Sequence, residues 1–264
     1  MAAKRMCTLL RPLILLLTLG SEAQCQSQFH QAHALLAELD RLQKGGQRDK
    51  DTLDKLNDLV HHVPQKVQSL LNEGILELLN SPGVHSPALI RAKVSAVLQV
   101  VPPGQFQPEV FVFGLPPRQR NSYLVAYNGP YCAHCSRAWI GVIGKRGAHY
   151  AILSEGDNSF DGKSLHVTPL PRGGDGNDRF LVCGTNWGDA HSRLSVTVYS
   201  LADNQLKSDW SREDLPQGTV KVTPTEITLS FLTSLRPPWD EKTEVYSILP
   251  KNIQLRQTLE RPNP

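Results

Sequence analysis

Cys132-Ala-His134-Cys135 is the stretch whose residue types and spacing are best suited to chemistry, and Cys183 and His191 are its potential complement. Two thiols separated by two residues, with an imidazole between them, are either zinc ligands, a redox pair or a disulfide. Zinc needs four such donors, and the chain has one close cysteine pair, so the remaining ligands would have to be Cys183 and His191 from further along. His134 with Arg137, and His191 with Arg193, form a second pattern. Brought together, two such loops would grip a carboxylate or phosphate. The plainer expectation is that Ser-Arg ties each loop to its own backbone while the histidine packs on Trp139 or Trp187.

The Cys132 to Cys135 spacing resembles the two-cysteine centre of thioredoxin-fold oxidoreductases. That resemblance covers four residues and implies a pair opening a helix directly after a strand, where the helix terminus lowers the first thiol's pKa. The residues that follow here, Ser136 to Gly144, carry two glycines and β-branched side chains, which read as a strand. Asp175-Gly-Asn177-Asp178 resembles the acidic calcium loops of FG-GAP propeller repeats, which carry more acidic positions; a simple turn is the expected reading. No cofactor is called for by the sequence; zinc and calcium are the two ions these motifs would admit. No metalloprotease, phosphate-loop or nucleotide fingerprint appears.

The elements that must position these residues follow from a repeat. Tyr123 to Ile143 (YLVAYNGPYCAHCSRAWIGVI) is echoed by Phe180 to Tyr199 (FLVCGTNWGDAHSRLSVTVY). The offset is 180 − 123 = 57 at the start and 192 − 136 = 56 after Cys135 is skipped. A constant offset over such a length marks a duplicated supersecondary unit. Twelve short β-prone runs, from Glu109-Val-Phe-Val-Phe113 to Ile253–Thr258, are separated by turn residues such as Gly144 to Gly147, Asp203-Asn204 and Pro216 to Gly218. The predicted fold is α+β: amphipathic helices over 24–104, then an antiparallel β domain over 105–264. Its two blade-like four-stranded repeats, about 122–170 and 179–233, form a partial propeller or a sandwich.

Upstream, leucines and valines recur at helical spacing from Gln28 to Lys44, from Leu53 to Val63, from Val67 to Leu79 and from Leu89 to Leu98. Pro64 is expected to break or kink the second run, and Ser86-Pro87 to start the last. His61-His62 has adjacent residues pointing to different sides of a helix, so a solvated pair is expected instead of a metal site.

Residues 1–23 read as a secretory signal, with Lys4, Arg5 and Arg11 ahead of the apolar Pro12 to Leu19 and small residues at Ser21 and Ala23. Removal leaves a formal charge of (28 − 3) − (25 − 1) = +1, which argues against nucleic acid as a partner. Export to a secreted or periplasmic location permits disulfides among Cys25, Cys132, Cys135 and Cys183. No apolar run in the mature chain is long enough to span a membrane. The reading is of an exported, non-catalytic protein binding a protein, glycan or small molecule through the repeat loops. A metal- or thiol-dependent enzyme centred on Cys132 and Cys135 is the alternative. The leucine-rich helices would also serve a dimer.

Overall fold

The computed structural model describes residues 27–45, 50–83, 85–99, 108–115, 121–129, 137–156, 164–187, 192–234 and 239–262. Among these are three helices and twelve strands, in a mixed α+β fold that is mostly β. The helices are α1 over 27–44, α2 (Lys50–Asn80) and α3 (Pro87–Leu98). Ser86 caps α3, its Oγ accepting from Leu89 N at 3.2 Å, and Pro87 occupies the first turn, where a missing N–H costs nothing.

Pro64 does not end its helix: α2 runs through it for 31 residues. An interior proline removes one backbone hydrogen bond and costs about 3 kcal/mol. Here Val63, Pro64, Val67, Leu70 and Leu71 are all buried on one stripe, and their burial, about 2 kcal/mol for each large apolar side chain, outweighs that loss.

The strands form three sheets. Sheet 1 contains β1 (Val110–Gly114), β2 (Tyr123–Gly129), β3 (Arg137–Arg146) and β4 (His149–Glu155). Sheet 2 contains β5 (Ser164–Leu170), β6 (Asp178–Trp187), β7 (Ser192–Ala202) and β8 (Gln205–Pro216). Sheet 3 contains β9 (Thr219–Val222), β10 (Glu226–Leu232), β11 (Asp240–Ile248) and β12 (Ile253–Pro262). Each is an antiparallel meander in which sequence neighbours are sheet neighbours. All twelve expected runs are strands, but they make three sheets instead of two repeats, and sheets 1 and 2 each begin one strand earlier than the expected frame. Glu109 to Phe113 belongs with the first repeat, and the last four strands have a sheet of their own.

Period-two alternation sends side chains to both faces, and three apolar layers result. The helices cover one face of sheet 1 through Tyr123, Val125, Tyr127, Trp139 and Ile143. The other face of sheet 1, with Leu124, Ala126, Ile140 and Val142, meets Phe180, Val182, Tyr199 and Leu201 of sheet 2. The far face of sheet 2, with Leu181, Cys183, Val196 and Val198, meets Ile227, Leu229, Phe231 and Tyr246 of sheet 3. The order is helices, sheet 1, sheet 2, sheet 3. Asn80 at the end of α2 seals an edge strand, its Oδ1 accepting from Tyr150 N at 2.7 Å and its Nδ2 donating to Tyr150 O at 3.2 Å.

The sequence repeat coincides with this layering. Tyr123 and Phe180 sit at the same ladder position, paired with Ile143 and Tyr199. Each faces the layer before its own sheet: Tyr123 the helices, Phe180 sheet 1. Leu124 and Leu181 each face the layer after. The helices therefore stand to sheet 1 as sheet 1 stands to sheet 2.

Candidate functional site

The two loops that carry the sequence motifs are hairpin connections at equivalent places. The β2–β3 ladder closes at Gly129 opposite Arg137, and the β6–β7 ladder at Trp187 opposite Ser192. Cys132, His134, Cys135 and His191 lie outside the described residues.

The two hairpins open at the same end of the stack. Glu109, just before β1, donates its N–H to Asn128 Oδ1 at 2.6 Å, and its Oε2 accepts from Leu165 N of sheet 2 at 2.5 Å. Asn128 is fully buried one residue from the end of β2, and Leu165 pairs with Gly184 near the end of β6. Ser164 Oγ and Thr185 Oγ1, 2.7 Å apart, continue the polar seam across β5 and β6. Charge-assisted bonds from a carboxylate to backbone N–H groups are the strong kind, so Glu109 fastens the loop ends of sheets 1 and 2 side by side.

Arg193 stands at the start of β7, where its Nη1 donates to Asp214 Oδ2 at 2.6 Å across the β7–β8 ladder. Asp214 adopts φ +60°, a left-handed conformation that acidic residues tolerate better than most, at an irregular turn of the strand. The partner is a carboxylate on β8 instead of the loop's own backbone. Trp139 lies a layer away on the helical side, its Nε1 donating to Glu155 Oε1 at 3.0 Å and its ring stacked on Tyr127 at 5.4 Å.

Cys183 is a free thiol, buried in the layer between sheets 2 and 3. Burial, with a smaller contribution from the Glu109 carboxylate, pushes its pKa up to about 12. It stays protonated at neutral pH and is therefore a poor nucleophile. Among the described residues no group of three or more His, Cys, Asp or Glu side chains is placed to hold a metal ion. Asp175 forms a closed turn of its own, Oδ1 accepting from Asn177 N at 3.0 Å and Oδ2 from Asn177 Nδ2 at 2.7 Å, while Asp178 pairs with Arg172. His62 is exposed and lies 3.3 Å from Asp58 one turn back.

Two groups of polar residues between sheets 2 and 3 are absent from the sequence motifs. Glu244 is 4% exposed and accepts from Tyr246 Oη at 2.6 Å, from Arg212 Nη2 at 2.9 Å and from Lys242 at 3.3 Å. Burial pushes its pKa up, but the Tyr246 hydroxyl, the Arg212 guanidinium and the Lys242 ammonium together outweigh burial and hold it below the ordinary carboxylate range. Burial and the hydrogen bond to Glu244 push Tyr246 up to about 12. Arg179, at the other end of β6 from the loops, is also 4% exposed. Its Nη1 donates to Leu249 O at 2.8 Å, and its buried Nε has no partner. The signal was parity: Arg179 falls two and four residues before the inward Leu181 and Cys183, so a strand starting at Asp178 turns it inward.

Comparison of the chain with family models, with curated proteins and with solved structures found no match. Among the described residues no helix is long and apolar enough to cross a membrane.

Proposed function

We propose that this is an exported, non-catalytic binding protein that meets a protein, glycan or small-molecule ligand through the paired hairpin loops of sheets 1 and 2. One observation carries this reading: two hairpins with the same Ala-His and Ser-Arg signature close equivalent ladders at the same end, fastened together by Glu109. Loops on a rigid scaffold are the usual carriers of recognition. In this reading the two hairpins descend from one copied module. Consecutive four-stranded meanders stacked face to face make a partial propeller, with the helices in the place of a further blade. The hydrophobic, basic-headed start of the chain supports export.

The loop cysteines, Cys132 and Cys135, then form a structural disulfide that stiffens the binding loop. Cys183, a free thiol buried between sheets 2 and 3, is not paired with either of them. Elemental analysis and peptide mapping of natively purified, unreduced protein test the reading. It expects no stoichiometric zinc and a single peptide, holding Cys132 and Cys135, that is two hydrogens lighter than its reduced form. Both cysteines alkylated as thiols, or one zinc per chain lost on substituting Cys132, would replace it with the metal or thiol centre.

A further inference from the structure

At the end of the stack opposite the hairpin loops, sheets 2 and 3 leave a cleft of about 380 Å³ lined by Arg179, Ser200, Asp209, Asp175 and Lys251. Arg179 and Ser200 face each other across the β6–β7 ladder and are buried, forming the floor. Asp175, Asp209 and Lys251 are exposed at the mouth. The turn after β11 closes one side, through Arg179 to Leu249 O and Gly174 N to Pro250 O at 2.7 Å.

The architecture does not require a cation there. One layer back, the repeat offsets put Ser122 at the position of Arg179 (179 − 57) and Gly144 at that of Ser200 (200 − 56). That spot is closed without charge. Ser122 Oγ bonds Asn204 Oδ1 of the β7–β8 turn at 3.3 Å, and a Cβ on Gly144 would come within 2.4 Å of Ser122 Oγ. The β7–β8 turn covers sheet 1 as the β11–β12 turn covers sheet 2. At the second interface a guanidinium replaces a serine hydroxyl. No carboxylate among the described residues pairs with it, and a backbone carbonyl takes one of its five donors. A buried charge left in that state is costly unless something completes its pairing.

The other charges state what completes it. Asp209 Oδ1 accepts from Ser200 Oγ at 3.0 Å, and Asp175 lines the same cleft. Two cations and two anions give the cleft no net charge, with the buried one positive. A simple anion would satisfy the floor but meet two carboxylates at the mouth. A molecule bearing a carboxylate and an ammonium on one carbon satisfies both.

We propose that this cleft binds a free α-amino acid, its carboxylate on Arg179 and its ammonium on Asp209. The site is separate from the loop end and does not depend on the reading given for the loops.

Calorimetric titration of the protein with each of the twenty common α-amino acids tests the proposal. At least one is expected to bind saturably at one site per chain. For that amino acid, its N-acetyl and its amide derivatives, and the Arg179→Gln variant, each weaken binding by about tenfold or more, as expected for an unpaired buried charge. Asp209→Asn keeps the bond from Arg179 to Leu249 and weakens binding by a similar factor, so it serves if the arginine variant does not fold. Absence of saturable binding by all twenty, equal binding of the blocked derivatives, or unchanged affinity in Asp209→Asn would each overturn the proposal.

Discussion

The two interfaces between sheets have the same architecture and different chemistry. Between sheets 1 and 2 the layer is apolar, filled by leucine, valine, alanine and aromatic side chains, and its open ends are closed by Glu109 at one side and by Ser122 with Asn204 at the other. Between sheets 2 and 3 the same positions hold a similar apolar centre, but it is flanked by the Glu244 network and by the Arg179 cleft. The layering is alike at both. Charged chemistry enters where the later of two similar stretches departs from the earlier, so such departures are better guides to a site than the shared residues themselves.

The largest expected effects test the equivalence. Leu124 and Leu181 occupy the same module position, each fully buried, facing sheets 2 and 3 respectively. Leu124→Ala and Leu181→Ala should each cost about 2–5 kcal/mol and agree within about 1 kcal/mol in denaturant unfolding. A several-fold disparity would mean the layers are not equivalent.

Glu244→Gln sharpens the contrast and should cost about 1–3 kcal/mol at neutral pH, because it leaves Arg212 and Lys242 without their carboxylate. The sign with pH follows from a folded-state pKa lowered from the ordinary carboxylate value. The network's contribution is fully present above the unfolded carboxyl's pKa and is lost as pH falls through the lower folded value. Unfolding measured from about pH 6 down to about pH 3 should show a shallower stability loss in Glu244→Gln than in the parent protein. Parallel curves would remove Glu244 from the account.

Cys183 aligns with Ala126, since 183 − 57 = 126, and each faces the following layer. Cys183→Ala should therefore cost about 1 kcal/mol, the transfer energy of one small buried group. Its thiol should resist alkylation in the folded protein and react once denatured. Rapid native labelling would contradict its burial.

Much of the β architecture was legible. Alternation and turn residues located all twelve strands, and the offset of 57 put Tyr123 and Phe180 on matching strands. Sheet 3 was missed as a third unit because its layer residues, Ile227, Leu229, Phe231 and Tyr246, keep the period but none of the motif. β8 continues through the polar Ser211 to Asp214, where Arg212 is satisfied by Glu244, a partner 32 residues away. Pro64 was over-read because local propensity does not register the tertiary burial of α2. Candidate sites were less legible: Cys132, His134, Cys135 and His191 announce themselves by type, whereas Arg179 becomes notable only beside Ser122.

The smallest expected effect is the most direct test. If Arg179 serves a ligand and the module closes that spot with serine, Arg179→Ser should change unfolding free energy by less than about 1 kcal/mol, with an unchanged denaturant slope. A loss of about 3 kcal/mol or more would make Arg179 a structural pin for the β11–β12 turn and contradict the account.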